Sequence, residues 1–482
     1  MAAASIREHP NIRWFILLTV SVGTFMSTLD SSIVNVALPT ISTAFKTDLE
    51  TLQWVVTGYL LTISSLLPIF GRLADILGRK RIFSIGFILF TVGSALCGLS
   101  TNVFMLIGFR VFQALGASML MANSQAITVA AFSPHERGRA LGLTGTTVAL
   151  GSLTGPALGG LIVGLVGWEY IFYINVPIGI IGFIASQIIL PDDKPTEERE
   201  PFDFYGAFLF SIGMVALLFA INNGEDYGWS SAPILLGIAA GLILLISFFI
   251  IEQKVKAPMI NLSLYKIKPF AIGNISGFLS FVASFCNTML MPFVLQHSFN
   301  WSPEKIGLLM ATFPVVMAII APTSGYLSDK IGPVFLTTGG LVIIAMGLFF
   351  LATLNIQSPI WYIMIGTILM GLGSGMFQSP NNSSVMGAVP RHMLGTAGGL
   401  NALVRNVGMV VGTTLAVSVY DARQNRILTG LTKPTLAQQV SASLSAYHTV
   451  MIIGGVVALL AAFLSMSRKG YVSGDLHKVQ RS

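Results

Sequence analysis

Gly71 to Arg81 reads GRLADILGRKR, and Gly325 to Pro333 reads GYLSDKIGP. Gly71 and Gly325, Asp75 and Asp329, and Gly78 and Gly332 are each offset by 254 positions. Each stretch follows an apolar run, and three matches at one offset argue for two homologous halves. In the first copy the acid stands among Arg72, Arg79, Lys80 and Arg81. A carboxylate at a helix end can accept bonds from the N-terminus of another helix or pair with Arg. Gly71, Arg72, Asp75, Gly78, Arg79 and Asp329 are therefore expected to latch the two halves on one face. The cations alone would mark only a charged anchor with glycine turns; the repeated Gly-x-x-x-Asp spacing favours the latch.

Around this repeat the chain is almost entirely apolar. Hydrophobic residues make up 54% and charged residues 10%, which excludes the soluble globular classes. Fourteen apolar runs of about 20 residues, the length that crosses a bilayer, extend from 14–38 to 446–467. Two homologous halves of six helices use twelve of them. The remaining pair is 204–221 and 233–251, which contain no charged residue and are expected to lie outside the bundles. The expected organisation is a first bundle over 1–190, a linker with two extra helices over 191–268, and a second bundle with a tail over 269–482. This all-α polytopic arrangement, two pseudo-symmetric halves around a central site, is that of an alternating-access transporter.

The cations orient the chain. With the N-terminus inside, 20 of the 27 Lys and Arg fall in cytoplasmic loops or tails, as the positive-inside rule requires. Both termini are then cytoplasmic, and the net charge of +7 follows from topology and gives no support to nucleic-acid binding. The first run is too long and wrongly flanked for a signal peptide, so no removable targeting segment is expected. Cys97 and Cys286 fall within spans and form no disulfide framework. The six His lack metal-ligand spacing, and there is no phosphate-cradling loop or nucleophile elbow. The reading has no catalytic residue, no metal and no cofactor, and the chain is not expected to be an enzyme.

Of the 20 acidic residues, only Asp30 falls deep within a run. A charge at that depth costs roughly 2.5–3.5 kcal/mol on insertion scales, so such residues mark ion or substrate pathways. Arg110 lies at a similar depth in 103–124, and the two are expected to pair at one cavity. Burial disfavours the carboxylate and a guanidinium favours it, so alternation between the two environments would load and release a proton; a static pair that fixes helix register is the alternative. In 140–163, Gly151, Gly155 and Gly159 are spaced by four on one helix face, with Pro156 and Gly160 beside them. That face admits close approach of another helix, and the proline loosens its own. The 32 Phe and 20 Met suit a deformable apolar cavity, for which Met26, Trp54, Tyr59, Gln113, Asn287, Met291 and Asn381 are candidates. Trp54 serves equally well in an interfacial belt. Arg405 is a second cation within a span, without an acid in that span, and is expected to bond backbone carbonyls or Asn381 and Asn382.

These residues resemble the major facilitator superfamily, and specifically its 14-helix drug:proton antiporter branch. Gly71-Arg72-Leu73-Ala74-Asp75 with Gly78-Arg79-Lys80 resembles the family's loop 2–3 signature, and GSLTGPALGG over Gly151 to Gly160 resembles its antiporter motif in span 5. Leu29-Asp30 with Val34 to Pro39 is similar to the branch's span 1 motif. Arg110, Gln113 and Gly116 resemble the span 4 motif, with Ala114 where the family usually has Gly. Trp168-Glu169-Tyr170 with Asn175, Pro177 and Gly179 resembles a further signature, with Glu169 in place of the usual Arg. The resemblance covers nearly the whole chain. It implies a major facilitator fold and a proton-coupled antiporter that exports lipophilic, neutral or monocationic compounds. Such a protein would work in the plasma membrane as a monomer, with the bilayer, protons and small lipophilic molecules as its only partners. Export or flipping of an endogenous lipid or metabolite on the same scaffold is the alternative.

Overall fold

The computed structural model describes residues 11–132, 137–192, 203–224, 227–228, 230–255, 262–390, 393–429 and 435–468. The side chain of Asp329, most of the stretches joining the extra helices to the halves, and the C-terminal tail beyond 468 lie outside the described residues. No strand occurs among those described. The first half comprises α1 (Ile12–Phe45), α2 (Leu49–Leu77), α3 (Arg79–Gly98), α4 (Val103–Ala131), α5 (Arg137–Leu165) and α6 (Tyr170–Tyr173 and Asn175–Ile189). The extra pair is α7 (Phe204–Asn222) and α8 (Ala232–Glu252). Then follow α9 (Lys268–His297), α10 (Pro303–Met310 and Thr312–Ile331), α11 (Pro333–Leu351), α12 (Ile360–Gly387), α13 (Leu394–Leu428) and α14 (Leu436–Met466). Counted over the described residues alone, thirteen of these helices are long and apolar enough to cross a membrane, and α5 contributes the shorter apolar stretch Thr154–Leu165.

Side chains set several helix starts. Asp48 accepts from the Thr51 amide at 2.7 Å, Asn102 from Met105 at 2.8 Å, and Thr435 forms a capping box with Gln438. Each satisfies an amide that lacks an intrahelical partner.

The halves repeat each other in packing as well as in sequence. In the first, α1 packs on α5, α3 on α4 and α6, and α2 on α4; in the second, α9 packs on α13, α11 on α12 and α14, and α10 on α12. Pro68 and Pro322, Gly86 and Gly340, and Gly93 and Gly347 are further pairs at the same 254-residue offset. The glycines lie on the α3–α4 and α11–α12 contacts. A Cβ on Gly93 would sit 2.6 Å from Gln113 Cα, and one on Gly347 would sit 2.9 Å from Met370 Cγ. No side chain fits, and the helices close on each other.

The repeat segments are more helical than their reading as loops. α2 continues to Leu77 and α10 to Ile331, so Gly71, Arg72 and Asp75 stand on the last turns of a helix. Only Gly78 and Gly332 make the turn, with φ of 103° and 84°. Side chains strongly disfavour that region, which explains glycine at both positions.

α7 and α8 pack on each other, and among the described residues α7 makes the main contacts to the bundles, touching α2 and α13. Ser211 on α7 donates to the Ser65 carbonyl on α2 at 3.2 Å. The pair is peripheral, as its uncharged composition implied.

Candidate transport site

Asp30 is completely buried, and five helices meet around it. Its Oδ1 accepts from Gln113 Nε2 and Asn175 Nδ2, each at 2.9 Å, and its Oδ2 accepts from Arg110 Nη1. Arg110 Nη1 also donates to Gln113 Oε1 at 2.7 Å, and its Nε donates to the Val55 carbonyl on α2 at 3.1 Å. Gln113 Nε2 reaches Ser94 Oγ on α3 at 2.6 Å. The Tyr59 ring lies 3.8 Å from the guanidinium carbon, a cation–π contact. The donors around the carboxylate come from two other helices, α4 and α6, so the pair is held by the packing of the first half. Asn175 carried a family signature but no assigned role, and Ser94 was not singled out; serine and asparagine are too common in spans to be picked out by type.

A cavity lies between the halves, with an empty volume of about 1420 Å³, part of it open to solvent. Ser31, Asn35, Tyr59 and Arg110 line it from the first half, and Asn287, Met291, Gln378 and Arg405 from the second, together with five further Met and three Phe. Of the candidates taken from the sequence, Tyr59, Asn287, Met291 and Arg405 line this cavity. Met26 and Gln113 do not line it: Met26 is wholly buried and Gln113 belongs to the Asp30 cage. Trp54 faces away, its ring 5.5 Å from Phe219 of α7. Asp30 is not part of the lining either; Arg110 and Tyr59 are. Tyr447, unread in the sequence, donates to Asn287 Oδ1 at 2.9 Å and so orients a lining amide.

The expected bonds of Arg405 to Asn381 and Asn382 are absent. Asn381 instead donates to the Gly273 carbonyl at 3.3 Å and accepts from Arg468 Nη2 at 2.7 Å, while Asn382 accepts from Asn401 at 3.2 Å. Asn381 lies in a smaller recess beside Arg405, next to Gln378, Asn382 and Asn401. Arg468, just past α14, is lowered by burial to about 10 and remains a cation at neutral pH.

The glycine face of α5 is filled by α1. A Cβ on Gly151 would meet Thr28 Oγ1 at 2.2 Å, one on Gly155 would meet Ser32 Oγ at 1.9 Å, and one on Gly159 would meet Ile33 Cγ1 at 2.7 Å. Pro156 and Gly160 meet the other half: the Gly307 Cβ position is 2.5 Å from the Pro156 carbonyl, and that of Gly160 is 2.6 Å from the Pro303 carbonyl. The motif therefore has two faces, one fixing α5 within its half and one closing the halves together.

At the repeat segment Asp75 pairs with Arg79, with Nη2 to Oδ1 at 2.9 Å and Nε to Oδ1 at 3.0 Å, and Lys80 pairs with Asp192 at 2.6 Å. The first of these contacts stays within the first half and the second reaches the start of the linker, and neither crosses to the second half. A Cβ on Gly71 would meet only Ala122 Cβ at 3.9 Å, so this conformation does not itself demand glycine there.

Residues 20–259 and 274–471 match the Major Facilitator Superfamily, and the chain belongs to that family. It is a multi-pass membrane transporter and not an enzyme. It is 38% identical over 408 residues to a riboflavin transporter of Clostridioides difficile, covering 85% of this chain and 88% of that protein. It is 32% identical to a multidrug transporter of Bacillus subtilis, over 88% of this chain and 78% of the relative. It is 30% identical to a tetracenomycin C resistance and export protein of Streptomyces glaucescens, over 86% and 76%. A bacterial homologue of the human lysosomal transporter Spinster, solved inward-facing and unoccupied, superposes with a TM-score of 0.67. At 15% identity over 95% of this chain and 97% of that one, the likeness concerns the fold.

Proposed function

We propose that the chain is a proton-coupled exporter of lipophilic compounds, acting as a monomer in the plasma membrane with both termini cytoplasmic. The observation that carries this reading is the caged Asp30. It is a fully buried acid whose guanidinium partner, Arg110, also lines the substrate cavity. Protonation of Asp30 would release Arg110 from its ion pair and change what the cavity wall presents; deprotonation restores the pair. The coupling needs only the proton gradient and no cofactor. Residues 1–190 and 269–482 would rock as two bodies joined by 191–268, with the similarity to a tetracenomycin C resistance and export protein supporting the direction of transport. Of the neutral and monocationic compounds expected, a lining that contains two cations and no carboxylate among the described residues suits the neutral ones.

The test is uptake of lipophilic dyes and drugs into everted vesicles. Accumulation driven by an imposed proton gradient, and abolished by an uncoupler, is the expected result. Accumulation indifferent to the uncoupler would overturn proton coupling. The similarity to a riboflavin transporter favours a second reading, export of an endogenous metabolite. Flavins and native lipids therefore belong in the same vesicle panel.

The Asp75 segment supplies a further expectation. As a latch on the rim, remote from the cavity, it controls turnover. Asp75→Asn is expected to slow transport while leaving substrate affinity unchanged. The Asp75–Arg79 pair is partly exposed and its loss costs at most about 1 kcal/mol of stability. A large loss of affinity in binding titrations, with normal turnover, would refute the latch.

A further inference from the structure

Two cations line the central cavity, and they differ in one respect. Arg110 is neutralised by Asp30. Arg405 has no ion pair and no hydrogen bond among the described residues, and no Asp or Glu lines the cavity. The amides closest at hand are engaged with other groups: Asn381 with Arg468, and Asn382 with Asn401. Gln378 also lacks a hydrogen-bonding partner among the described residues, and it lines both the main cavity and the smaller recess with Arg405. Asn401 precedes Arg405 by one turn of α13, as Gln378 precedes Asn382 on α12, so the four polar side chains form a patch on two helix faces. Beside the patch lie Phe281 and Met409.

A charge within a membrane protein is costly unless something answers it. Here nothing in the described protein does, which leaves the guanidinium fork and the Gln378 amide available to a bound molecule. We infer that Arg405, with Gln378 and Asn401, forms a subsite for a planar group of acceptor oxygens on an otherwise apolar substrate. The inference rests on the exporter reading only in calling the occupant a substrate. A guanidinium binds the two oxygens of a carboxylate with two parallel bonds; an imide, whose oxygens flank an N–H, offers the fork one carbonyl oxygen and can pair its N–H and other oxygen with the Gln378 amide. The apolar body would lie among the methionines and phenylalanines, which adapt to many shapes. A quaternary ammonium would face an uncompensated like charge.

The test uses the full-length protein in nanodiscs and three fluorescent probes that share one aromatic body, with a carboxylate, a glutarimide or a trimethylammonium head. The carboxylate and imide probes are expected to bind more tightly than the ammonium probe. Arg405→Gln should weaken the two acceptor probes by about ten- to hundredfold, the size of a lost charged hydrogen bond, and spare the ammonium probe. Arg405→Lys, which keeps the charge but loses the fork, should retain part of the carboxylate affinity and lose the imide preference. A carboxylate probe that binds well above the imide assigns the subsite to anions; equal binding assigns it to carbonyls. Tightest binding by the ammonium probe, or acceptor binding unchanged by Arg405→Gln, overturns the inference. If Arg405→Gln does not fold, the head-group ranking of the unmodified protein and the Lys variant decide it. Gradient-driven export without any Arg405-dependent preference would reject the subsite alone. The preference without export would reject the exporter and leave the subsite standing.

Discussion

Replacing Asp30 with Asn is expected to abolish gradient-driven export and also to destabilise the protein. Asp30 and Arg110 are both buried, at 0% and 1% side-chain exposure, so the substitution strands a buried guanidinium. Breaking a buried pair on one side costs about 3–5 kcal/mol. The double variant Asp30→Asn with Arg110→Gln removes both charges and should recover much of that stability while remaining uncoupled. Comparing thermal unfolding of the two variants with their vesicle transport separates the structural role of the pair from its coupling role. Full gradient-driven export by either variant at normal expression would sink the proton-carrier assignment of Asp30.

Gly160→Leu is expected to stall the cycle with only modest loss of stability. The Cβ position at Gly160 lies 2.6 Å from the Pro303 carbonyl and 2.9 Å from Gly307 Cα, and backbone on the facing helix cannot swing aside. On the proposed rocking cycle the contact joins two bodies that separate and meet each time, so the added bulk would remove the closed arrangement at that end. Conformational steps of this kind set turnover, and transport should fall by roughly tenfold or more. Gly155→Leu is the informative contrast. Its Cβ lies 1.9 Å from Ser32 Oγ and 2.9 Å from the Ile33 amide nitrogen, within one half. There the overpacking acts on folding, at about 1–3 kcal/mol or more. Unimpaired transport by Gly160→Leu would show that closure does not use this contact.

The Asp30–Arg110 pair was readable because an acid and a base in apolar runs have few places to go. Its enclosure was not, since Asn175 and Ser94 gain meaning only from α6 and α3 folding against α1 and α4. Asp75 with Asp329 and Gly78 with Gly332 stood out because they carry a charge and a turn, and Gly71 with Gly325 shared their offset. Gly86 and Gly93 with their partners were equally present but lost among 49 glycines, and only the α3–α4 contact shows what they do. Trp54 was ambiguous for a physical reason. An aromatic at a span end suits lipid, cavity or another helix, and the helix it met, α7, lies outside the repeat. Arg405 was expected to find an asparagine because the competitor for Asn381, Arg468, sits beyond the last span, where no helix pattern points to it.

The placement of α7 has a mechanical consequence. It touches α2 of one half and α13 of the other, so relative motion of the halves must shear it against at least one of them. Its hydrogen bond from Ser211 ties it to α2, so if the halves rock as proposed, α7 would travel with the first half. Acyl chains replace apolar side-chain contacts at almost no loss, because lipid is as apolar as the helix it displaces. α7 and α8 therefore behave as a lubricated bearing carried by the first half: they add mass to the moving part without adding friction to its travel.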